Sequence, residues 1–312
     1  MTAGTWFALL AALLAAIALV ALVRRRAARS QGGREFFRHP AATPGLVVLC
    51  FFALLGLAAP LIAPFDPIRQ LDIVQLQSQP PSWEHPLGTD VYSRDTWSRL
   101  AFGARVSLAV GAIAMLVAIT IGSLVGAVAG YFRRWVDTVL MRAVDVGLAV
   151  PRVFLVLMIA ALWEGLELPA LVLLIGLTGW FGTSRLVRAE VLSVREREYI
   201  AAARALGAGP ARVIFRHVLP NTAAPILVSA ALGIGNVLLL EAGLSFLGIG
   251  VRPPLPSWGN MIGDGWRLMA VSPWATLFPG LAIALVVTAL NGVADALRDA
   301  LDPHRGHGMS PA

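Results

Sequence analysis

"EYIAAARALGAGPARVIFRHVLPN", Glu198–Asn221, lies between two strongly apolar stretches. It holds four charged side chains, Glu198, Arg204, Arg212 and Arg216, with two glycines, two prolines and a run of three alanines. The spacing predicts two short helices with a break between them. Ile200, Ala203 and Leu206 recur at helical spacing, with Arg195 and Glu198 on the opposite face. Gly207 and Gly209 then punctuate the chain, as glycines do at a helix C-terminus. Pro210 suits the first position of the next helix. That helix presents apolar Val213, Ile214 and Val218, and Arg212 and Arg216 form an i,i+4 basic edge. Leu219-Pro220 is expected to end it. Basic amphipathic segments lie on lipid headgroups or dock onto a partner, and these residues leave both uses open.

The flanks place the segment in a membrane protein. Of the 312 residues, 57% are hydrophobic and 14% charged, and the mean hydropathy is +0.74. Soluble domains carry about 25% charged residues. Seven apolar stretches approach the length of a bilayer-spanning helix: roughly Thr5–Val23, Ala41–Pro64, Val106–Gly130, Val144–Trp163, Leu168–Gly182, Thr222–Leu247 and Trp274–Val293. Glu164–Glu167 reads as a tight hairpin, and the last span is open to extension as far as Leu297. The external loop from Phe65 to Arg105 contains "QPPSWEHPLGTD", and a second contains "GIGVRPPLPSWGNMIGDGW". Both are rich in turn formers, and too short and proline-rich to be separate domains.

Arginine placement sets the orientation. Met1–Thr5 carries no charged side chain, and Arg24, Arg25 and Arg26 follow the first span, so the N-terminus is expected outside. Alternating from there, 18 of the 25 arginines fall in cytoplasmic stretches and six outside, with Arg152 inside the fourth span. The C-terminus is then cytoplasmic. The first apolar stretch lacks the basic region that precedes a cleaved signal sequence, so it reads as an anchor.

Several chemistries are excluded. All 25 basic residues are arginine, so no phosphate-binding G-x-x-x-x-G-K-[ST] loop exists. Nucleotide energy, if used, must be bound by another subunit. The lone Cys50 sits inside a span and forms no internal disulfide. No H-E-x-x-H or C-x-x-C occurs, and no catalytic constellation, metal site or cofactor is expected. His304 and His307 in the polar tail are at most nonspecific metal binders. The net charge of +7 reflects cytoplasmic arginines rather than nucleic-acid binding.

The lack of an energy source tips the opening segment towards docking, and its residues carry a resemblance. A-A-A-R-A-L-G, nine residues, then H-x-L-P resembles the coupling loop of ABC importer permeases, E-A-A-x-x-x-G, nine residues, I-x-L-P. Ala202, Ala203, Gly207, Leu219 and Pro220 match in register. Ala201 stands where the family usually has glutamate and His217 where it has isoleucine; Glu198 is nearly a full turn from the place of that glutamate. "HPLGTDVYSRD", His85–Asp95, is similar to H-P-L-G-T-D-x-x-G-R-D of the dipeptide/oligopeptide/nickel group, with Ser93 for its glycine. "RAVDVGLAVP" from Arg142, "EAGLSFLGIGVRPPLPSWGNMI" from Glu241 and "LRDALDP" from Leu297 also resemble that group, most of all its C-type permease.

The resemblance implies an all-α polytopic helical bundle with about six core transmembrane helices, here with one extra N-terminal span. Expected divisions are an anchor and basic linker over 1–40, a first core span and external loop over 41–104, a permease core over 105–303 and a polar tail over 304–312. It implies a bacterial inner-membrane subunit that is not itself an enzyme. Its partners would be a second homologous permease, two ABC ATPases, an external substrate-binding protein and the bilayer, with peptides as substrate and nickel as a relative's alternative. The coupling site would be the 185–221 loop, with Glu198, Ala201, Ala202, Ala203, Arg204, Gly207, Gly209, Arg212, His217, Leu219 and Pro220. The competing expectation is an ion-driven transporter working alone, which should show internal repeats and midplane charges; no clear repeat is present.

Three residues inside spans stand out. Glu241 is costly in a bilayer, at about 2.5–3.5 kcal/mol at a span's centre; it is a functional group or, on the favoured reading, a structural partner of Ser245 one turn on. Asp145 reads as an interfacial anchor or a salt bridge to Arg142. Pro151, with Arg152, interrupts the fourth span and either kinks it at the pathway or serves packing. Gly111, Gly122 and Gly126 suggest close helix packing. Trp180, Trp258, Trp266 and Trp274 are expected in the aromatic belt.

Overall fold

With no water to satisfy the backbone in hydrocarbon, apolar stretches of this length must close their hydrogen bonds within themselves, as helices do. The computed structural model describes residues 2–163 and 165–301, and among these it is helical with no strand; one antiparallel bridge pairs Thr89 with Asp95. Helices α1 (Thr2–Ala27), α2 (Gln31–Arg38), α3 (Ala42–Leu57) and the short α4 (Ala59–Ile62) and α5 (Ile73–Leu76) precede α6 (Thr96–Phe132). α7 (Arg134–Ala149), α8 (Arg152–Leu162) and α9 (Leu168–Val194) follow. The opening segment forms α10 (Glu198–Ala205), α11 (Pro210–Val213), a π-helical stretch at Ile214–Val218 and α12 (Leu219–Asn221). α13 (Ala223–Phe246), α14 (Trp258–Gly265), a 3₁₀ turn at Trp266–Leu268 and α15 (Trp274–Leu301) complete the described residues.

Five helices are long and apolar enough to cross a membrane, and up to seven spans result if α2–α3 and α7–α8 each count as one. Those pairs bend by 90° and 81°; the first bend lies ahead of the second expected span, Ala41–Pro64, and the other falls inside the fourth. The fourth, Val144–Trp163, is broken. Val150 is extended, as a residue before proline is biased to be, and Pro151 stands at the N-cap of α8 rather than inside a kinked helix. The fifth runs twelve residues past the expected Gly182 to Val194, and the seventh reaches Leu301. Part of the expected 185–221 loop is therefore helix.

The described residues pack as two units, one of residues up to 111, 165–171 and from 234 on, the other of 112–163 and 172–233. In the first, Phe52, Leu55, Leu100, Leu238, Trp258 and Val286 build the core. Trp258 corrects the aromatic-belt expectation. It is fully buried, its ring lies 5.3 Å from Phe52 and its indole N–H donates to Leu100 O at 3.1 Å. Trp180 and Trp274 are half-buried, and only Trp266 of the four is exposed.

In the second unit α6 and α9 meet along glycines one turn apart. A Cβ on Gly122 would lie 2.6 Å from Thr183 Cβ, on Gly126 2.5 Å from Ser184 O, and on Gly130 2.9 Å from Val191 Cβ. These helices touch backbone to side chain, as small residues permit. α6 ends where Arg133 and Arg134 adopt φ of 56° and 52°, a conformation a continuing helix cannot hold.

Candidate functional site

The 195–221 segment is a built element. Ile200 on α10, Val213 on α11 and Ile214 and Val218 on the π-helical stretch are buried with Ala127, Val187, Val191 and Val194. Each such side chain contributes roughly 1.5–3 kcal/mol by leaving water, enough to hold the segment in one conformation. Arg195 ties the entry: its Nη1 donates to Tyr131 O at 2.6 Å and Gly130 O at 3.2 Å, satisfying carbonyls at the end of α6. Burial, then the charge of Arg133, lowers the Arg195 pKa. Arg204 stacks over the Tyr131 ring at 4.9 Å, so this member of the expected coupling set is also an anchor.

The turn between the helices follows from Gly207. Ala208 N–H donates to Ala203 O and Gly207 N–H to Arg204 O, at 3.0 and 2.9 Å. This paired closure needs a left-handed residue after the helix, and Gly207 has φ 83°. Gly209 becomes the N-cap of α11, with Pro210 at its first position. Two expectations fail here. Leu206 does not join Ile200 and Ala203 on a buried face; as C-cap it swings outward and is 89% exposed. Leu219-Pro220 does not stop the helical path, because proline at the start of a new turn lacks no needed donor; the interruption comes at Thr222.

What remains outward is a mixed surface. Ala201, Ala202, Leu206, Arg212 and Arg216 are exposed, and so are Glu198, Gly209 and Pro220. Phe215, a residue the spacing argument passed over, is 60% exposed. Ala203, His217 and Leu219 are half-buried. His217 O accepts from Asn221 Nδ2 at 2.7 Å. Rigid backing with small alanines, two protruding apolar side chains and a basic edge suits docking on a shaped partner.

Asp145, Pro151 and Glu241, read from the sequence as pathway or packing residues, each have a local setting. Asp145 is paired with Arg185 of α9, not with Arg142, which lies one turn earlier on its own helix and is exposed. Asp137 accepts from Nε and Nη2 of Arg188 at 2.5 and 2.6 Å. Pro151 is exposed at the α7–α8 break, and the neighbouring Arg152 donates to Ile175 O at 2.6 Å. Glu241 is buried in a polar hub. Ser245 Oγ donates to its Oε1 at 2.7 Å and Ser107 Oγ to its Oε2 at 3.3 Å. Ser245 in turn accepts from Val251 N–H, and Ser107 from Trp258 N–H. The hub joins α6, α13 and α14, and its Ser245 contact is the one that the one-turn spacing indicates.

The "HPLGTDVYSRD" element is likewise a knot. His85 Nδ1 and Asp95 Oδ1 are 2.9 Å apart and buried, and Asp95 Oδ2 accepts from Ser98 N–H and Oγ. Arg94 bridges Asp90 at 2.7 Å and Asp264 at 2.6 Å, while Arg99 reaches Asp264 and Pro67 O. Arg94 and Arg99 thus face carboxylates of Asp90 and Asp264, the pairing that burial demands. Among the described residues no group of three potential metal ligands exists; His304 and His307 lie outside the described residues.

Comparison with known proteins agrees with this architecture. Residues 118–307 match the family described as "Binding-protein-dependent transport system inner membrane component". Residues 30–81 match "N-terminal TM domain of oligopeptide transport permease C". The chain is similar to the dipeptide transport system permease protein DppC of Alkalihalophilus pseudofirmus, 41% identical over 86% of this chain and 88% of that one. It is similar to a putative peptide permease protein of Brucella suis, 41% identical over 88% and 90%. It is also similar to the glutathione transport system permease protein GsiD of Pectobacterium atrosepticum, 37% identical over 93% and 96%. A family of ABC importer components displaces the expectation of an ion-driven transporter working alone. The chain belongs to the binding-protein-dependent transport system inner membrane component family: it is a multi-pass, non-catalytic permease subunit of an ABC importer.

Proposed function

We propose that this subunit carries peptides across the inner membrane, together with a second homologous permease, and that its 198–221 surface docks on one of two separate ATPases. An external binding protein delivers the substrate. The observation that carries the reading is the contrast within the segment: Ile200, Val213 and Val218 are locked into a core while Leu206 and Phe215 stand in the open. A loop resting on headgroups has no need of such rigid backing. Closure of the ATPases on ATP then moves the segment as a body and switches the spans between two arrangements. The peptide assignment is supported by the names of the relatives, whose substrates include dipeptides and glutathione. The N-terminus is external and the C-terminus cytoplasmic in this account, which puts 198–221 on the side where ATP is found.

The test is uptake into proteoliposomes holding the complete complex and its binding protein. With ion gradients collapsed and ATP supplied, labelled di- and oligopeptides should accumulate. Accumulation of nickel and not of peptides would overturn the substrate assignment, and uptake that follows the gradient and ignores ATP would overturn the coupling.

A further inference from the structure

We infer that the groove between α1 and α2 is a binding site for an anionic phospholipid, its acyl chain in the groove and its phosphate on the surrounding arginines. Helix α2 crosses α3 at 90°. It turns half-buried Phe36 and Phe37 to one side and exposed Arg34 and Arg38 to the other. A strongly two-faced helix set across a spanning helix lies in the plane of the membrane interface. Above that plane are headgroups and below it acyl chains.

A cavity of about 400 Å³ opens here, bounded by Val23 and Ala27 of α1, Phe36 and Phe37 of α2, Leu46 of α3 and Leu297 of α15. Its walls are almost wholly apolar, and water gains little from so few polar partners. Two glycines shape it. Gly33 presses against Ala27, closing the turn between the helices, and a Cβ on Gly32 would meet only Ala300 O, at 3.9 Å. The space beside Gly32 is open to a flexible hydrocarbon chain.

The rim supplies the charge. Arg24, Arg25, Arg26, Arg29, Arg34 and Arg38 are all exposed, and the acid among residues 24–39, Glu35, is paired with Arg38 at 2.5 Å. On a helix with 100° between residues, Arg24 and Arg26 flank the stripe formed by Val23 and Ala27, one on either side. Guanidinium forks match phosphate oxygens, and arginine clusters beside a membrane helix favour anionic headgroups. A zwitterionic lipid would bring its own cation to the same rim. Helix α1 lies outside both family matches, which begin at residue 30; on this inference it forms one wall of the lipid site.

The test uses the whole complex in nanodiscs of phosphatidylcholine containing a minor share of phosphatidylglycerol with a photoactivatable acyl chain. Crosslinks mapped by mass spectrometry should fall on residues 32–37 and 297–301. Unlabelled phosphatidylglycerol should compete, while phosphatidylcholine and free glycerol phosphate should not. Arg24→Gln/Arg26→Gln should cut this labelling between about five- and thirtyfold, roughly fivefold per arginine. Gly32→Leu, or Ala300→Leu should the first misassemble, fills the groove with all arginines intact and should abolish it. Equal labelling by a phosphatidylcholine probe, labelling that survives both filled grooves, or lipid crosslinks that fall only on another subunit would each overturn the inference.

Discussion

Gly207 and Ser93 share a backbone conformation and differ in what it costs them. Gly207 has φ 83°, and a Cβ there would meet nothing within 4 Å. Any penalty of substitution is therefore backbone strain, about 1–2 kcal/mol for an L-residue, plus whatever the outer surface touches. Gly207→Arg should leave the subunit inserted and assembled with its companion permease, yet weaken ATPase retention on purification and abolish uptake. Ala201→Glu, on an exposed helical position, should be far milder; the reverse order would discard the docking register. Ser93 has φ 60°, is fully buried, and its hydroxyl has no partner among the described residues. This is the position where the resembled pattern has glycine, and the angle explains that preference. Ser93→Gly should leave the complex unchanged or stabilise it by up to about 1 kcal/mol, read as an equal or higher thermal midpoint. Ser93→Val should lower it.

At the scale of elements, glycine spacing was a sound guide and hydropathy a partial one. Gly122 and Gly126 marked a helix contact from the sequence, and Gly130 continues it. Even Gly126→Ala pushes a methyl group into Ser184 O and Val187, and overpacking of this kind costs about 1–3 kcal/mol. Gly182→Ala, on the facing helix α9 but with open space around it, should be neutral or gain up to about 1 kcal/mol of helix propensity. Thermal unfolding of the purified complex separates the two; equal midpoints would mean α6 and α9 are not in contact. Hydropathy located the long helices but not the break at Val150-Pro151, because an apolar run scores the same whether the chain is straight or bent by 81°. Nor could it place α14 inside the "PSWGNM" loop, where a Ser257–Asn260 capping box starts a buried helix. Trp258 was misjudged for a related reason: tryptophan is common both at interfaces and in cores, and tertiary partners decide. The Glu241–Ser245 pair was readable because it needs only one helical turn. The Ser107 and Trp258 contacts were not, because they join residues more than a hundred positions apart.

For the whole molecule, the family pattern made the fold and the permease role legible, and arginine asymmetry is the basis of the orientation proposed. A reporter active only in the cytoplasm should work when fused after Ala312 and be silent when fused ahead of Met1. Activity at both ends would mean α1 does not cross the bilayer. The central claim is that 198–221 is the surface through which ATP hydrolysis in another subunit moves this one, and Leu206, 89% exposed at the turn, reports on it most directly. A photoreactive amino acid placed at Leu206 in the assembled complex, in its native membrane, will capture whatever the segment touches. The account predicts one dominant adduct, to the ATPase subunit, that shifts in yield when ATP is added. Adducts to lipid alone, at the same yield with and without ATP, would contradict it and make the segment a loop lying on the membrane surface.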